Sequence, residues 1–200
     1  MKLYVNQSSP YARKVRVVAK QLGLNVALVD VDPWVDPPEL LAVSPLSKVP
    51  VLVTDGGLVI TESDTIARHL CDLAAAAALF PADLIARAEV AARMALLQGM
   101  IDAAFDAVIE KRRPAVNQWP DWIERQVRAV QRGLNVVAAR EMPAGRFDLG
   151  DISLACLLGY LDFRHPSLAW RSDHANLAAW YDQTAKRASL ATTRPDVPIG

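Results

Sequence analysis

The apolar residues of this 200-residue chain change their spacing once, after Phe80-Pro81, and that single change limits the folds open to it. Before it, short apolar runs alternate with amphipathic stretches; after it, the spacing is helical throughout. Leu3-Tyr4-Val5 reads as a strand that ends at Asn6-Gln7-Ser8-Ser9. Pro10 then suits the first position of a helix, with Ser9 as its N-cap. Val15, Val18, Ala19 and Leu22 follow the i, i+3, i+4, i+7 spacing of one buried face, and Gly23 stops the helix. Residues 26–31 predict a second strand, parallel to the first. Prolines at 33, 37, 38 and 45 forbid a long regular element, leaving room for a short helix over 39–43. Residues 50–54 and 58–61 predict two strands joined through Asp55-Gly56-Gly57, a hairpin signal. A helix from Ser63 to about Leu73 completes a β-α-β-(α)-β-β-α order.

Beyond a boundary at 79–83, residues 84–112 predict one long helix, on which Val90, Met94, Leu97, Ile101, Ala104 and Val108 recur three and four apart. Three more helices are marked by Ile123 to Val137, by Leu154, Leu157, Leu158 and Leu161, and by Leu177, Trp180, Tyr181 and Thr184. Asp148 and Asp151 form a capping-box arrangement ahead of the third, flanked by Phe147 and Ile152 as a hydrophobic staple. Residues 192–200 are rich in proline and read as irregular. The expected domains are 1–79 and 84–200, the second all-helical.

Composition narrows the function. Twenty-two basic residues balance twenty-two acidic ones, which argues against a nucleic-acid or membrane-surface partner. Lys111-Arg112-Arg113 reads as the charge complement of a helix C-terminus. Cys71 and Cys156 stand far apart in apolar patterns, so buried, inert thiols are expected and a dithiol redox site is not. His69, His165 and His174 share no ligand spacing, and no metal site is expected. Met1 leads directly into a strand pattern without a leader signature, which points to a cytoplasmic protein.

Three segments of the first half can converge on one polar site. Pro50 at the head of a strand supplies no amide and suits a cis bond, leaving the Val49 backbone to pair with an extended peptide. A helix beginning at Ser63 offers amides and a positive dipole end to a carboxylate. Ser8-Ser9-Pro10-Tyr11 adds hydroxyls at the end of the first strand. Together they describe a pocket for a short anionic peptide with a hydroxyl near its middle.

In this order, Ser9-Pro10-Tyr11-x-Arg13-Lys14-Val15-Arg16, Lys48-Val49-Pro50-Val51-Leu52, Glu62-Ser63 and the Asp148–Asp151 cap resemble the glutathione S-transferases over essentially the whole chain. The similarity is strongest to serine-type bacterial members akin to the theta and zeta classes. It implies a thioredoxin-like α/β N-terminal domain (βαβ-ββα) followed by an all-α domain lining a co-substrate pocket. It implies glutathione as co-substrate, a homodimer, a role in detoxification, and transfer to an electrophilic, apolar small molecule. Ser9 would then be the catalytic hydroxyl beside the glutathione sulfur, with Arg13 strengthening the positive field. Val49 and Pro50 would hold the cysteinyl part, Glu62 the ammonium, Ser63 the γ-glutamyl carboxylate and Lys48 another carboxylate. Serine at position 9, and Pro10 where beta-type members carry cysteine, argues against mixed-disulfide chemistry.

Plainer readings stand beside these. Ser9 and Ser63 also suit simple helix caps, and Ser8 or Tyr11 could replace Ser9 at the sulfur. Gln98, Asp102, Asp106 and Glu110 lie on one stripe of the long helix, solvated or dimer-facing by default, or with Asp102 or Asp106 at the cleft. Met100, Phe105 and Trp34 suit either the core or the co-substrate pocket. Other glutathione-using reactions (peroxidase, isomerase, dehalogenase or ether cleavage) share the same site, and a non-catalytic binding protein would share the fold.

Overall fold

The computed structural model describes residues 1–140 and 147–195. Its first part is a four-stranded sheet in the order β2-β1-β3-β4. Strand β1 (Lys2–Val5) pairs parallel with β2 (Ala27–Asp30) and antiparallel with β3 (Val51–Val53), which pairs antiparallel with β4 (Val59–Thr61). Alternation along the strands divides two cores. Leu3, Val5 and Leu52 join the main core with Val15, Val18, Ile66 and Leu70 from helices α1 (Pro10–Gln21) and α3 (Ser63–Leu73). Val51 and the partly buried Tyr4 and Val29 turn to a smaller cluster around Leu40 of α2 (Pro38–Leu41).

The predicted boundaries shift by a residue or two. Strand β2 is shorter than 26–31, β3 begins after Pro50, and α2 starts at Pro38. The Val49-Pro50 bond is cis. Gly23 adopts φ 65° directly after α1, and Gly57 adopts φ 82° in the hairpin turn, both conformations that side chains disfavour.

The second part is helical: α4 (Leu84–Lys111), α5 (Pro120–Ala138), α6 (Leu149–Arg164), α7 (Trp170–Asp173), α8 (Ala175–Thr184) and α9 (Ala188–Ala191). Helix α6 is buried from Leu149 to Leu161 and packs against α1, α4 and α8. The Asp148–Asp151 capping box is formed, and Arg93 of α4 binds both carboxylates. Leu149 donates its amide to the Leu79 carbonyl (3.0 Å), tying the start of α6 to the end of the first part. Met100 is core: a Cβ on Gly133 of α5 would lie 2.5 Å from its sulfur. The expectation of an irregular tail falls, for residues 196–200, outside the described residues. Among the described residues, no helix is long and apolar enough to cross a membrane.

Candidate active site

Ser9 caps α1: its Oγ accepts from the Ala12 amide at 3.2 Å. A hydroxyl has one proton and two lone pairs, so this bond leaves the proton available to a sulfur. The cap and the catalytic reading are therefore compatible. Ser9 is half-buried, whereas the rival Ser8 is buried and donates its hydroxyl to Asn6 Oδ1 at 2.7 Å. Tyr11 is also engaged, donating to Asp102 Oδ1 at 2.7 Å. Burial, followed by the Asp102 hydrogen bond and charge, holds its phenol far above the ordinary tyrosine range. Arg13 lies one turn along α1 from Ser9. It is buried, its amide donates to the Ser9 carbonyl (3.0 Å), its Nη2 reaches the Leu190 carbonyl of α9 at 3.5 Å, and its guanidinium lies against Gly159 of α6.

The start of α3 also differs from the simplest reading, because Glu62 and not Ser63 is its N-cap. Glu62 adopts φ 71° and ψ 126°, a conformation L-residues avoid. Its carboxylate accepts from the amides of Asp64 (3.1 Å) and Thr65 (2.9 Å) and from the hydroxyls of Ser63 and Thr65 (both 3.2 Å). Burial opposes its charge, but the Asp64 and Thr65 amides and then Lys14 outweigh it, and its pKa is lowered. With about four acceptor positions occupied, an ammonium at Glu62 has to share or displace one of these donors. Ser63 is buried, its hydroxyl facing Lys14 Nζ at 3.4 Å.

Sequence reasoning missed Lys14. It is a fully buried cation that binds Asp64, Gln98 Oε1 (2.7 Å) and Ser63. Gln98 donates to Asp102 Oδ1 at 3.1 Å, and Asp102 takes the Tyr11 hydroxyl. A chain of contacts thus runs from the α3 N-terminus through α1 to α4 and back to Tyr11. Half-buried Gln98 and exposed Asp102, from the expected surface stripe, are the α4 members of this chain. The available signal was Lys14's place four residues before Val18, on the buried face of α1.

Lys48 is exposed, and its backbone is fixed by buried Ser44, whose Oγ donates to the Lys48 carbonyl (3.1 Å) and accepts its amide (3.2 Å). Val49 and cis-Pro50 follow directly at the head of β3. Asp106 faces this region: burial and Asp102 raise its pKa, against Lys48. Beyond Tyr11 the cleft is aromatic. The Tyr11 ring meets Phe105 edge-on (5.8 Å), Phe105 stacks on Trp34 (6.4 Å), and the Arg112 guanidinium lies 5.3 Å from the Trp34 ring. The cysteines take no part. Both are free and buried, and desolvation pushes Cys71 up to about 12 and raises Cys156. His165 is buried with Nε2 2.9 Å from the Ala104 carbonyl. Among the described residues, no group of three or more His, Cys, Asp or Glu side chains is placed to hold a metal.

Residues 3–78 match the family description "Glutathione S-transferase, N-terminal domain", and residues 120–183 match "Glutathione S-transferase, C-terminal domain". The chain is 31% identical to the uncharacterized GST-like protein YibF of Escherichia coli K12, over 98% of both chains. It is 38% identical to a glutathione transferase family member of Pseudomonas fluorescens Pf-5 solved with bound glutathione (TM-score 0.93, covering 98% of this chain and 99% of that one). The same Pseudomonas protein has also been solved with S-(propanoic acid)-glutathione (38%, TM-score 0.89, 98% and 100%). A Methylobacillus flagellatus glutathione S-transferase with glutathione bound is 38% identical (TM-score 0.89, 97% and 98%). From its thioredoxin-like sheet to its helical second half, this chain belongs to the glutathione S-transferase family.

Proposed function

We propose that this chain is a serine-type glutathione transferase, akin to the theta and zeta classes, that ionises the glutathione thiol and joins it to an electrophilic, apolar small molecule. The observation that carries this reading is the Ser9 hydroxyl at the α1 N-terminus. It spends a lone pair on the helix and keeps its proton for the sulfur. Val49 and cis-Pro50 pair with the cysteinyl backbone; Lys48 meets a carboxylate; Ser63 and the α3 N-terminus take the γ-glutamyl carboxylate, with Glu62 supplying negative charge to the ammonium. Residues 1–79 bind glutathione, and 84–200 supply the co-substrate wall. Glutathione held by two relatives, once as a thioether, supports this assignment.

The chemistry asked of Ser9 is small. A thiol of pKa about 8.5 is only a few per cent ionised at neutral pH, and each unit of lowering needs about 1.4 kcal/mol. A hydroxyl bond to a charged acceptor supplies about 1.5–3 kcal/mol, and the helix N-terminus adds several tenths. The thiolate then attacks the electrophilic carbon, a C–S bond forms, and the electron pair passes to a leaving group or to the acceptor's conjugated system. Ser9→Ala is the test. Wild type binds glutathione with an ultraviolet thiolate band at neutral pH; the variant binds without the band and loses about 10–100-fold in kcat/KM. An unchanged band in the variant rejects Ser9.

The second copy of the homodimer seats on exposed apolar surface around Leu73, Leu84, Ile85, Leu96 and Val136. Leu96 and Val136 border a depression of about 430 Å³ between α4 and α5, away from the Ser9 chemistry. Sedimentation giving a monomer at micromolar concentration rejects this assembly.

A further inference from the structure

A phenol and one guanidinium edge on α6 have buried polar atoms without hydrogen-bond partners, although the Arg164 guanidinium also lies 3.9 Å from the Phe163 ring. Tyr160 of α6 is 2% exposed, and its hydroxyl is buried without a hydrogen-bond partner. Buried polar atoms left so are uncommon. One helical turn on, Arg164 has Nε and Nη2 buried and unpartnered as well. Those two atoms form the side-on edge of a guanidinium, the edge that grips a carboxylate through two parallel hydrogen bonds. Arg112, at the end of α4, lies over Trp34 and within electrostatic reach of both Tyr160 and Arg164. Tyr160 lies in turn within electrostatic reach of Tyr11, which follows Ser9 by two residues and rests edge-on against Phe105.

The acidic groups of the cleft do not answer these cations. Asp102 takes Tyr11 and Gln98, and Asp106 lies opposite Lys48. Six residues separate Asp106 from Arg112 on one helix, about 9 Å along the axis. Glu110 is paired with Arg113 and the Trp119 amide. Two arginines near the ends of α4 and α6 also complement the helix dipoles. That role leaves the Tyr160 hydroxyl and the Arg164 edge unexplained.

We propose that this end of the cleft binds an anionic group on the electrophile, a carboxylate held by Arg164, Arg112 and Tyr160, so that the co-substrate is an apolar or aromatic body carrying one acid. The proposal rests on the glutathione-transfer reading and names its substrate class. The aromatic body lies along Tyr11, Phe105 and Trp34, and the acid is directed away from the glutathione carboxylates.

Calorimetric binding to the full chain tests it with three probes: glutathione, S-benzylglutathione and S-(4-carboxybenzyl)glutathione. Wild type prefers the carboxylated conjugate to the benzyl conjugate by about tenfold or more, as a charge-assisted bidentate pair requires. The ratio falls towards unity in Arg164→Gln and in Arg112→Gln, and Arg164→Lys retains part of it. Circular dichroism confirms folding of each variant, and the exposed Arg112 keeps the test open should Arg164→Gln misfold. A wild-type ratio near unity overturns the anion site while leaving glutathione transfer standing. A preference that survives both glutamine substitutions also overturns it. Failure to bind any of the three probes overturns the glutathione reading itself.

Discussion

Replacing Lys14 with methionine keeps its aliphatic stem and removes its charge. The lysine side chain is 1% exposed and that of its partner Asp64 10%, so the substitution strands a carboxylate that solvent barely reaches. Breaking a buried ion pair from one side costs about 3–5 kcal/mol, mostly for the charge left behind. Gln98 Oε1 loses its 2.7 Å donor as well, adding about 1 kcal/mol. For a chain of this size each kcal/mol moves the midpoint by about 2–4 °C, so Lys14→Met should melt about 10–20 °C below wild type. Removing both charges reverses most of that loss. Lys14→Met/Asp64→Leu should return to within about 2 kcal/mol of wild type, because a well-packed apolar pair often matches a buried salt bridge. Asp64 also lies in the first turn of α3, where its negative charge is worth about 0.3–1 kcal/mol, which sets the residual deficit. Urea unfolding followed by circular dichroism closes the double-mutant cycle. A single-mutant loss below about 1 kcal/mol, or a coupling energy near zero, would refute the claim that the pair is buried and mutually dependent.

Glu62 gives a pH signature. Because its folded pKa is lowered, its stabilisation is fully present above the unfolded value of about 4.3 and is lost as pH falls through the folded pKa. Urea midpoints should therefore drop in that acid range, and Glu62→Gln should flatten the drop. Gly159→Ala places a methyl 2.2 Å from Arg13 Nη1 and 2.6 Å from the Tyr181 hydroxyl. The overpacking outweighs the helix-propensity gain, for a net loss of about 1–2 kcal/mol visible in thermal melts. Asp151→Ala removes the acceptor of the Asp148 amide (2.9 Å) and an Arg93 partner (3.2 Å), and should cost about 2–3 kcal/mol in urea titrations.

What local rules govern was legible in the sequence. Ser9-Pro10 announced the start of α1, Asp148 and Asp151 the start of α6, and Asp55-Gly56-Gly57 the hairpin, because each is decided within a few residues. The α3 cap was not legible: serine is the preferred cap, but tertiary contact draws the Ser63 hydroxyl to Lys14 while the backbone turn at Glu62 swings its carboxylate onto the amides. Spacing on α4 showed that Gln98 and Asp102 share a stripe, but not that Lys14 and Tyr11 reach them from α1. Met100 went to the core because Gly133, on another helix, leaves it space. Helices α7 and α9 are four residues each, too short to display a period.

The placement of α6 bears on where a chimera built on this chain can be joined. Its first amide is bonded to Leu79, its flank packs against α1, and Arg13 of α1 occupies the space left by Gly159. A chimera that grafts a foreign helical half onto this sheet inherits a helix cut to another α1. Unless residue 159 stays small and the bond to Leu79 is preserved, the graft leaves a guanidinium without a berth. In this architecture the recombination seam lies across the α1–α6 contact, not at the linker where the chain changes character.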